Sequence, residues 1–121
     1  MTDEELKIAR AFVACARWQW LPGMRAVGRK GYPAAWFRVE EPLQKLGGVW
    51  RGAVPDVTDP ATLGCILQLV QDAGGLIFKL SIRPMGDMLV VEWPNGRLDS
   101  FRGTFSRVLL QALQAAPEVQ S

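Results

Sequence analysis

The stretch "LIFKLSIRPMGDMLVVEWPNGRLDSFR", residues 76–102, decides the fold of this chain. Its first segment alternates in polarity, which predicts a half-buried strand with Phe78, Leu80 and Ile82 on one face. The letters PMGD then predict a turn, and the Asn-Gly pair that follows MLVVEWP is a strong signal for a hairpin. Because short turns join neighbouring strands in an antiparallel manner, the stretch predicts a three-stranded meander.

Helices are predicted at both ends of the chain. Thr2 and Glu5 have the spacing of a capping box, so a helix should start there and run to about Trp18. Near the C-terminus, "TFSRVLLQALQAA" places apolar residues at helical spacing and is followed by Pro117. We therefore expect a C-terminal helix in this segment.

The segment "PDVTDPATLGCILQLVQDAGG", residues 55–75, predicts the central helix. Asp59 suits the N-cap, because its carboxylate can accept hydrogen bonds from the free N–H groups of the first turn. Pro60 fits the first helical position, and Gly74 fits the C-terminal cap. We interpret the segment as a well-specified helix, with structural roles for its unusual residues.

Two further strands are predicted before this helix, at about 35–40 and 49–54, each bounded by proline or glycine. A run of strands set among helices favours the α+β class. We expect a single globular domain over residues 1–121, in which about three helices pack against an antiparallel sheet of four to five strands.

The composition supports a globular protein. The chain has 121 residues, of which 49% are hydrophobic and 21% are charged, with a net charge of +2. It opens with the acidic letters MTDEE, unlike a signal peptide, and no apolar run reaches the about 18 residues that a membrane span needs. We expect a cytoplasmic protein with no membrane partner.

Several kinds of catalytic and metal site are excluded by residue type. The chain has no histidine and two distant cysteines, which excludes zinc sites and histidine-based triads. Asp56, Thr58 and Asp59 lack the glycine and glutamate that complete a calcium loop. A two-residue turn would set Glu92 opposite Asp99, but like charges across a sheet also simply destabilise it. We expect no metal, no cofactor and no enzymatic activity.

The charges are distributed unevenly along the chain. Residues 6–39 contain seven basic residues and no acid, whereas acids outnumber bases over 52–96. Within the basic part, "MRAVGRKGYPAAWFR" interleaves arginine and lysine with aromatic residues, a mixture typical of sites for single-stranded nucleic acid. The alternative is a solvated basic loop beside a strand whose aromatic residues enter the core.

Tryptophan is abundant, with five in the chain, and it is enriched at interface hot spots. Core packing is the alternative for each of them. The candidate binding residues are Arg25, Arg29, Lys30, Tyr32, Trp36, Arg38, Trp18 and Trp20.

The letters "PDVTDPATLGCILQLV", residues 55–70, resemble a "PDLxDPATLGCLLxLV" segment of small uncharacterised proteins of phages and prophages. The end of the C-terminal helix, Ala115-Ala116-Pro117, is similar to theirs as well. The resemblance implies a phage or prophage origin and a bacterial host cell. It carries no established activity and so transfers no catalytic residue, but small phage proteins of this kind often act as accessory factors, some by binding and blocking a host protein complex.

Two functions follow as hypotheses. The first is a non-enzymatic phage or prophage accessory protein that binds a host protein complex, for example an anti-defence inhibitor of the anti-CRISPR type. The alternative is a nucleic-acid-binding accessory factor that uses the basic and aromatic residues of 25–38. The sequence also leaves open whether the protein forms a homodimer in which the basic part of one copy meets the acidic part of the other.

Overall fold

The structure is a computed structural model that describes residues 1–28, 36–41, 52–81 and 86–116. In chain order the elements are α1 (Asp3–Ala14), β1 (Arg25–Val27), β2 (Trp36–Arg38), β3 (Val54–Pro55), α2 (Pro60–Asp72), β4 (Leu76–Ser81), β5 (Asp87–Glu92), β6 (Leu98–Gly103) and α3 (Phe105–Ala115). These three helices and the antiparallel strands confirm the predicted α+β class.

The described strands belong to two three-stranded sheets, ordered β2-β1-β3 and β4-β5-β6, where the sequence predicted a single sheet. Contacts divide the chain into two compact units, Met1–Ile66 and Leu67–Ser121, and the boundary falls within α2. The single domain over residues 1–121 stays a prediction. No helix in the described ranges is long and apolar enough to cross a membrane.

Helix α1 begins with the predicted capping box. The hydroxyl of Thr2 accepts from the N–H of Glu5 at 3.1 Å, and the carboxylate of Glu5 accepts from the N–H of Thr2 at 2.9 Å. The helix ends at Ala14, earlier than predicted, because the chain then turns back and packs Trp18 against Phe12 with ring centroids 5.7 Å apart.

The first sheet is built around a strand that the sequence did not reveal. Strand β1 has three residues and lies at the centre, with β2 and β3 on either side. A three-residue strand is too short to show alternation, and its arginine and the nearby glycines are typical of a loop. Of the strand predicted at 49–54, positions 49–51 lie outside the described residues, and the described strand is Val54–Pro55.

Helix α2 has the predicted caps. Asp59 accepts from the N–H of Thr62 at 3.2 Å in the first turn. At the other end Gly74 has φ +96°, and the N–H of Gly75 donates to the carbonyl of Val70 at 3.1 Å, as in a Schellman motif. Local sequence therefore specifies both ends of this helix.

The second sheet is the predicted antiparallel meander, with one irregularity. A bulge lies between Ile77 and Lys79, so Ile77 and Leu80 lie on the same face, which strict alternation would not predict. The side chain of Phe78, predicted to lie on the face of Leu80, is outside the part that the structure describes. Ile82 and most of the first predicted turn lie outside the described residues. Helix α3 packs against β5 and β6, and Leu89 and Val91 of β5 are fully buried.

Candidate binding surface

Trp36 is the one aromatic ring among the large apolar side chains that the described part exposes, and 46% of its surface is accessible. The guanidinium carbon of Arg25 lies 4.4 Å from its ring centroid, and that of Arg38 lies 5.8 Å away. The register of β1 and β2 explains this, because Arg25 pairs with Arg38 and Val27 pairs with Trp36 on the same face. We call Arg25, Trp36 and Arg38 the Trp36 cluster.

Arg38 is held in place by the turn that starts α2. Its Nη1 donates to Oδ2 of Asp59 at 2.5 Å and to the carbonyl of Gly23 at 2.9 Å. Burial acts to raise the pKa of Asp59, but hydrogen bonds from Thr62 and Arg38 outweigh it and lower the pKa below its usual value. The carboxylate therefore stays ionised and keeps its hold on the guanidinium.

Arg25 is fixed by the same turn through different contacts. Its Nε lies 3.6 Å from Oδ2 of Asp56, which is an ion pair rather than a hydrogen bond. Its backbone N–H donates to the Thr62 hydroxyl at 2.8 Å, and this hydroxyl in turn donates to Asp59 at 2.8 Å. One threonine thus links strand β1 to the cap of helix α2.

The segment that we interpreted as a helix start therefore also positions the Trp36 cluster. Asp56 accepts from the N–H and hydroxyl of Thr58 at 3.0 and 2.5 Å, and Asp59 accepts from Thr62 and Arg38. Among the described residues, no group of three or more metal-ligating side chains is arranged to hold a metal ion. The carboxylates of this turn serve as counterions and hydrogen-bond acceptors.

Of the other candidate residues, Arg29, Lys30 and Tyr32 lie outside the described residues. Trp18 and Trp20 belong to the core, with exposures of 7% and 2%, and their rings pack edge to face at 5.3 Å. This corrects their assignment to a binding surface. The physical reason is the early end of α1, after which Trp18 packs against Phe12 and Trp20 packs against Trp18.

The surface near β2 carries both signs of charge. An open depression of about 450 Å³ is lined by Phe37, Arg38, Glu40 and Glu41. Its two glutamates are exposed, so this side of the Trp36 cluster is acidic. The basic segment predicted from sequence is thus bordered by acids.

The acid pair considered for catalysis does not form. The N–H of Trp93 donates to the carbonyl of Arg97 at 2.9 Å, so the turn is longer than two residues, and Glu92 pairs with Leu98. Asp99 lies on the opposite face of the sheet and accepts from Nε1 of Trp93 at 2.8 Å and Nε of Arg97 at 3.0 Å. Its role is to satisfy a buried indole.

Comparison with known proteins gives no relative: no family model, no curated protein and no solved structure matches the chain.

Proposed function

We propose that this protein is a non-enzymatic accessory protein that binds a protein partner through the Trp36 cluster. In line with the resemblance of residues 55–70 to phage and prophage proteins, the partner is a host protein complex, and inhibition of a defence system of the anti-CRISPR type is one form of this activity. The observation that carries the proposal is an exposed tryptophan whose ring is contacted by the guanidinium groups of two arginines. Tryptophan and arginine are the residue types most enriched at interface hot spots.

The charges favour a protein partner over a nucleic acid. Arg25 and Arg38 already pair with Asp56 and Asp59, so these four side chains carry no net charge. Nucleic-acid affinity comes largely from cations that neutralise phosphates, and here phosphates would compete with two carboxylates. The Arg25 guanidinium also lies over the Trp36 ring and reduces the area open to base stacking.

The same ion pairs prepare the surface for binding. Arginine side chains lose conformational entropy when they are immobilised at an interface, which costs about 0.5–1.5 kcal/mol for each. Asp56 and Asp59 restrain both guanidinium groups before any partner arrives. The proposed partner therefore meets an ordered cluster.

The test compares Trp36→Ala with a matched control, Val13→Ala, which shortens another exposed apolar side chain in the same unit. Tagged proteins are expressed in a bacterial host, the captured complex is purified, and its affinity is measured by titration. We expect Trp36→Ala to weaken binding by about 30-fold or more and the control to leave it unchanged. Equal affinity of the two variants would contradict the proposal.

A salt series with single- and double-stranded DNA tests the alternative. DNA binding that falls steeply with salt and disappears in an Arg29→Ala/Lys30→Ala variant would support the nucleic-acid-binding factor instead. Under our proposal this double variant keeps its affinity for the protein complex. The two functions therefore predict opposite results for this double variant: loss of binding for the nucleic-acid-binding factor, and unchanged binding for the protein that binds a host complex.

A further inference from the structure

The second sheet has one covered and one open face. Helix α3 packs on one face, where Leu89 and Val91 are fully buried. Strand pairing arranges the opposite face, which we call the outer face, in three rows, none of whose residues is buried. The rows are Leu76, Glu92 and Leu98; Lys79, Val90 and Ser100; and Ser81, Met88 and Arg102.

Apolar side chains are unusually accessible on the outer face. Leu76 and Leu98 are 63% and 57% exposed, the highest values among the large apolar residues of the described part. They flank Glu92 in the first row, and Val90 and Met88 continue the apolar surface along β5. Exposed apolar residues grouped on one sheet face, rather than scattered singly, indicate an interaction surface.

The charges on the outer face indicate which partner fits it. Glu92 stands at one end, and Arg102 stands at the other, about 14 Å away along the strands. Neither side chain forms an ion pair within the described residues. A face with an acid at one end and a base at the other is complementary to itself when it is turned around about its middle row, which holds Lys79, Val90 and Ser100.

We propose that the outer face is the interface of a homodimer. A two-fold axis in the interface, running across the strands through Val90, places Glu92 over the Met88 position of the second copy. Arg102 of the partner subunit is then one strand away, about 4.8 Å to the side, within reach of its long side chain. The symmetry forms this ion pair twice, as in any isologous interface.

The remaining residues are compatible with this arrangement. Leu98 lies over the aliphatic stem of Arg102 of the partner subunit, and Val90 meets its own counterpart at the axis. Lys79 lies in the row of Val90 and so faces Lys79 of the partner subunit, but it belongs to β4, an edge strand, and both ammonium groups can turn outward into water. The bulge in β4 disfavours continuous pairing of a second copy with that edge of the sheet.

The size of the outer face predicts a weak dimer. Three strands of six residues span about 14 by 20 Å. Because protruding side chains add accessible surface to this flat area, two such faces would bury about 1,000 Å² in total. This is the low end of specific interfaces, so association should depend on concentration.

Sedimentation velocity over a wide range of concentrations tests the dimer. We expect Glu92→Arg and Arg102→Glu each to weaken association at least about tenfold, and the double reversal to restore it, because the swapped charges attract again. Glu41→Arg reverses an exposed acid elsewhere and should change nothing. A chain that is monomeric throughout, or a dimer that ignores both reversals or is not restored by their combination, would overturn the proposal.

Cross-linking gives an independent measurement if a charge variant does not fold. Val90→Cys in a Cys15→Ser/Cys65→Ser background should form a covalent dimer with a short bis-maleimide cross-linker, because facing sheets lie about 10 Å apart and a direct disulfide would not span them. Glu41→Cys in the same background should not cross-link. Equal cross-linking at both positions would contradict the proposed position of the two-fold axis at Val90. The outer face shares no residue with the Trp36 cluster, so Glu92→Arg should leave Trp36-dependent binding intact, and either proposal can fail without the other.

Discussion

Asp59 combines two roles at a single residue, because it caps α2 and holds Arg38 of the Trp36 cluster. Its pKa is lowered in the folded protein: burial opposes the shift, but hydrogen bonds from Thr62 and Arg38 exceed that effect. A carboxyl group whose folded pKa is below its unfolded value stabilises the fold above the unfolded pKa, about 3.9. That contribution is lost as pH falls through the folded pKa.

Asp59→Asn separates these two roles, since asparagine also caps helices but carries no charge. We expect the variant to lose stability relative to wild type at neutral pH. The difference should shrink as the pH falls below about 4 and disappear below the folded pKa, where Asp59 of the wild type is neutral in both states. Urea unfolding at several pH values measures it. Glu5, whose pKa is lowered mainly by its backbone hydrogen bond with Thr2, gives both proteins a shared acid dependence, so only the difference between their curves is diagnostic. A difference independent of pH would contradict the assignment.

Asp99 is important for stability because it satisfies a buried donor. Asp99→Ala leaves Nε1 of Trp93 without its acceptor and removes the contact to Arg97. An unsatisfied buried donor costs about 1–3 kcal/mol, so we expect the free energy of unfolding to fall by that amount. Ser100→Ala, on the outer face of the same strand, should stay within about 0.5 kcal/mol in urea unfolding at low protein concentration. Similar losses in both variants would show that the Asp99 bond contributes little.

At the scale of elements, two glycines of the α2 region provide a matched pair. Gly74 has φ +96°, and an added Cβ would lie 2.8 Å from Cγ of Pro94, whereas Gly64 is helical with open space around it. We expect Gly74→Ala to lower the free energy of unfolding by about 1–3 kcal/mol. Gly64→Ala should raise it by about 0.5–1 kcal/mol, since alanine has the higher helix propensity. Thermal or urea unfolding measures both, and shifts of the same sign would contradict the caps described for α2.

Elements whose signals are local could be predicted, and those set by tertiary contacts could not. Helix α2 and the meander carry caps, turns and periodicity within their own sequence. The end of α1 depends on where Trp18 packs, and the bulge in β4 depends on pairing with β5. Strand β1 exists because β2 and β3 flank it, and no pattern within three residues can express that.

For the molecule as a whole, the sequence predicted some residues of the candidate site but not the acidic side chains that hold its arginines in place. The mixture of basic and aromatic residues indicated Arg25, Trp36 and Arg38, which the sheet brings together. It could not distinguish exposed from buried tryptophans, because burial depends on the paths of distant segments. The acids that hold both arginines lie beyond the acid-free segment, and only the fold reveals those ion pairs.

Helix α2 leads to a final prediction about cooperativity. It belongs to the first unit up to Ile66 and to the second unit from Leu67, so each unit contains about half of its 13 residues. Helices shorter than about 12–15 residues are marginal without packing, and half of α2 would not persist alone. We therefore expect both units to unfold in one transition, with calorimetric and van't Hoff enthalpies that agree. Gly74→Ala should lower the midpoint of this single unfolding transition, and the shift should be the same when it is followed by tryptophan fluorescence and by far-ultraviolet circular dichroism. Two resolved transitions, only one of which responds to this substitution, would show that α2 does not couple the units.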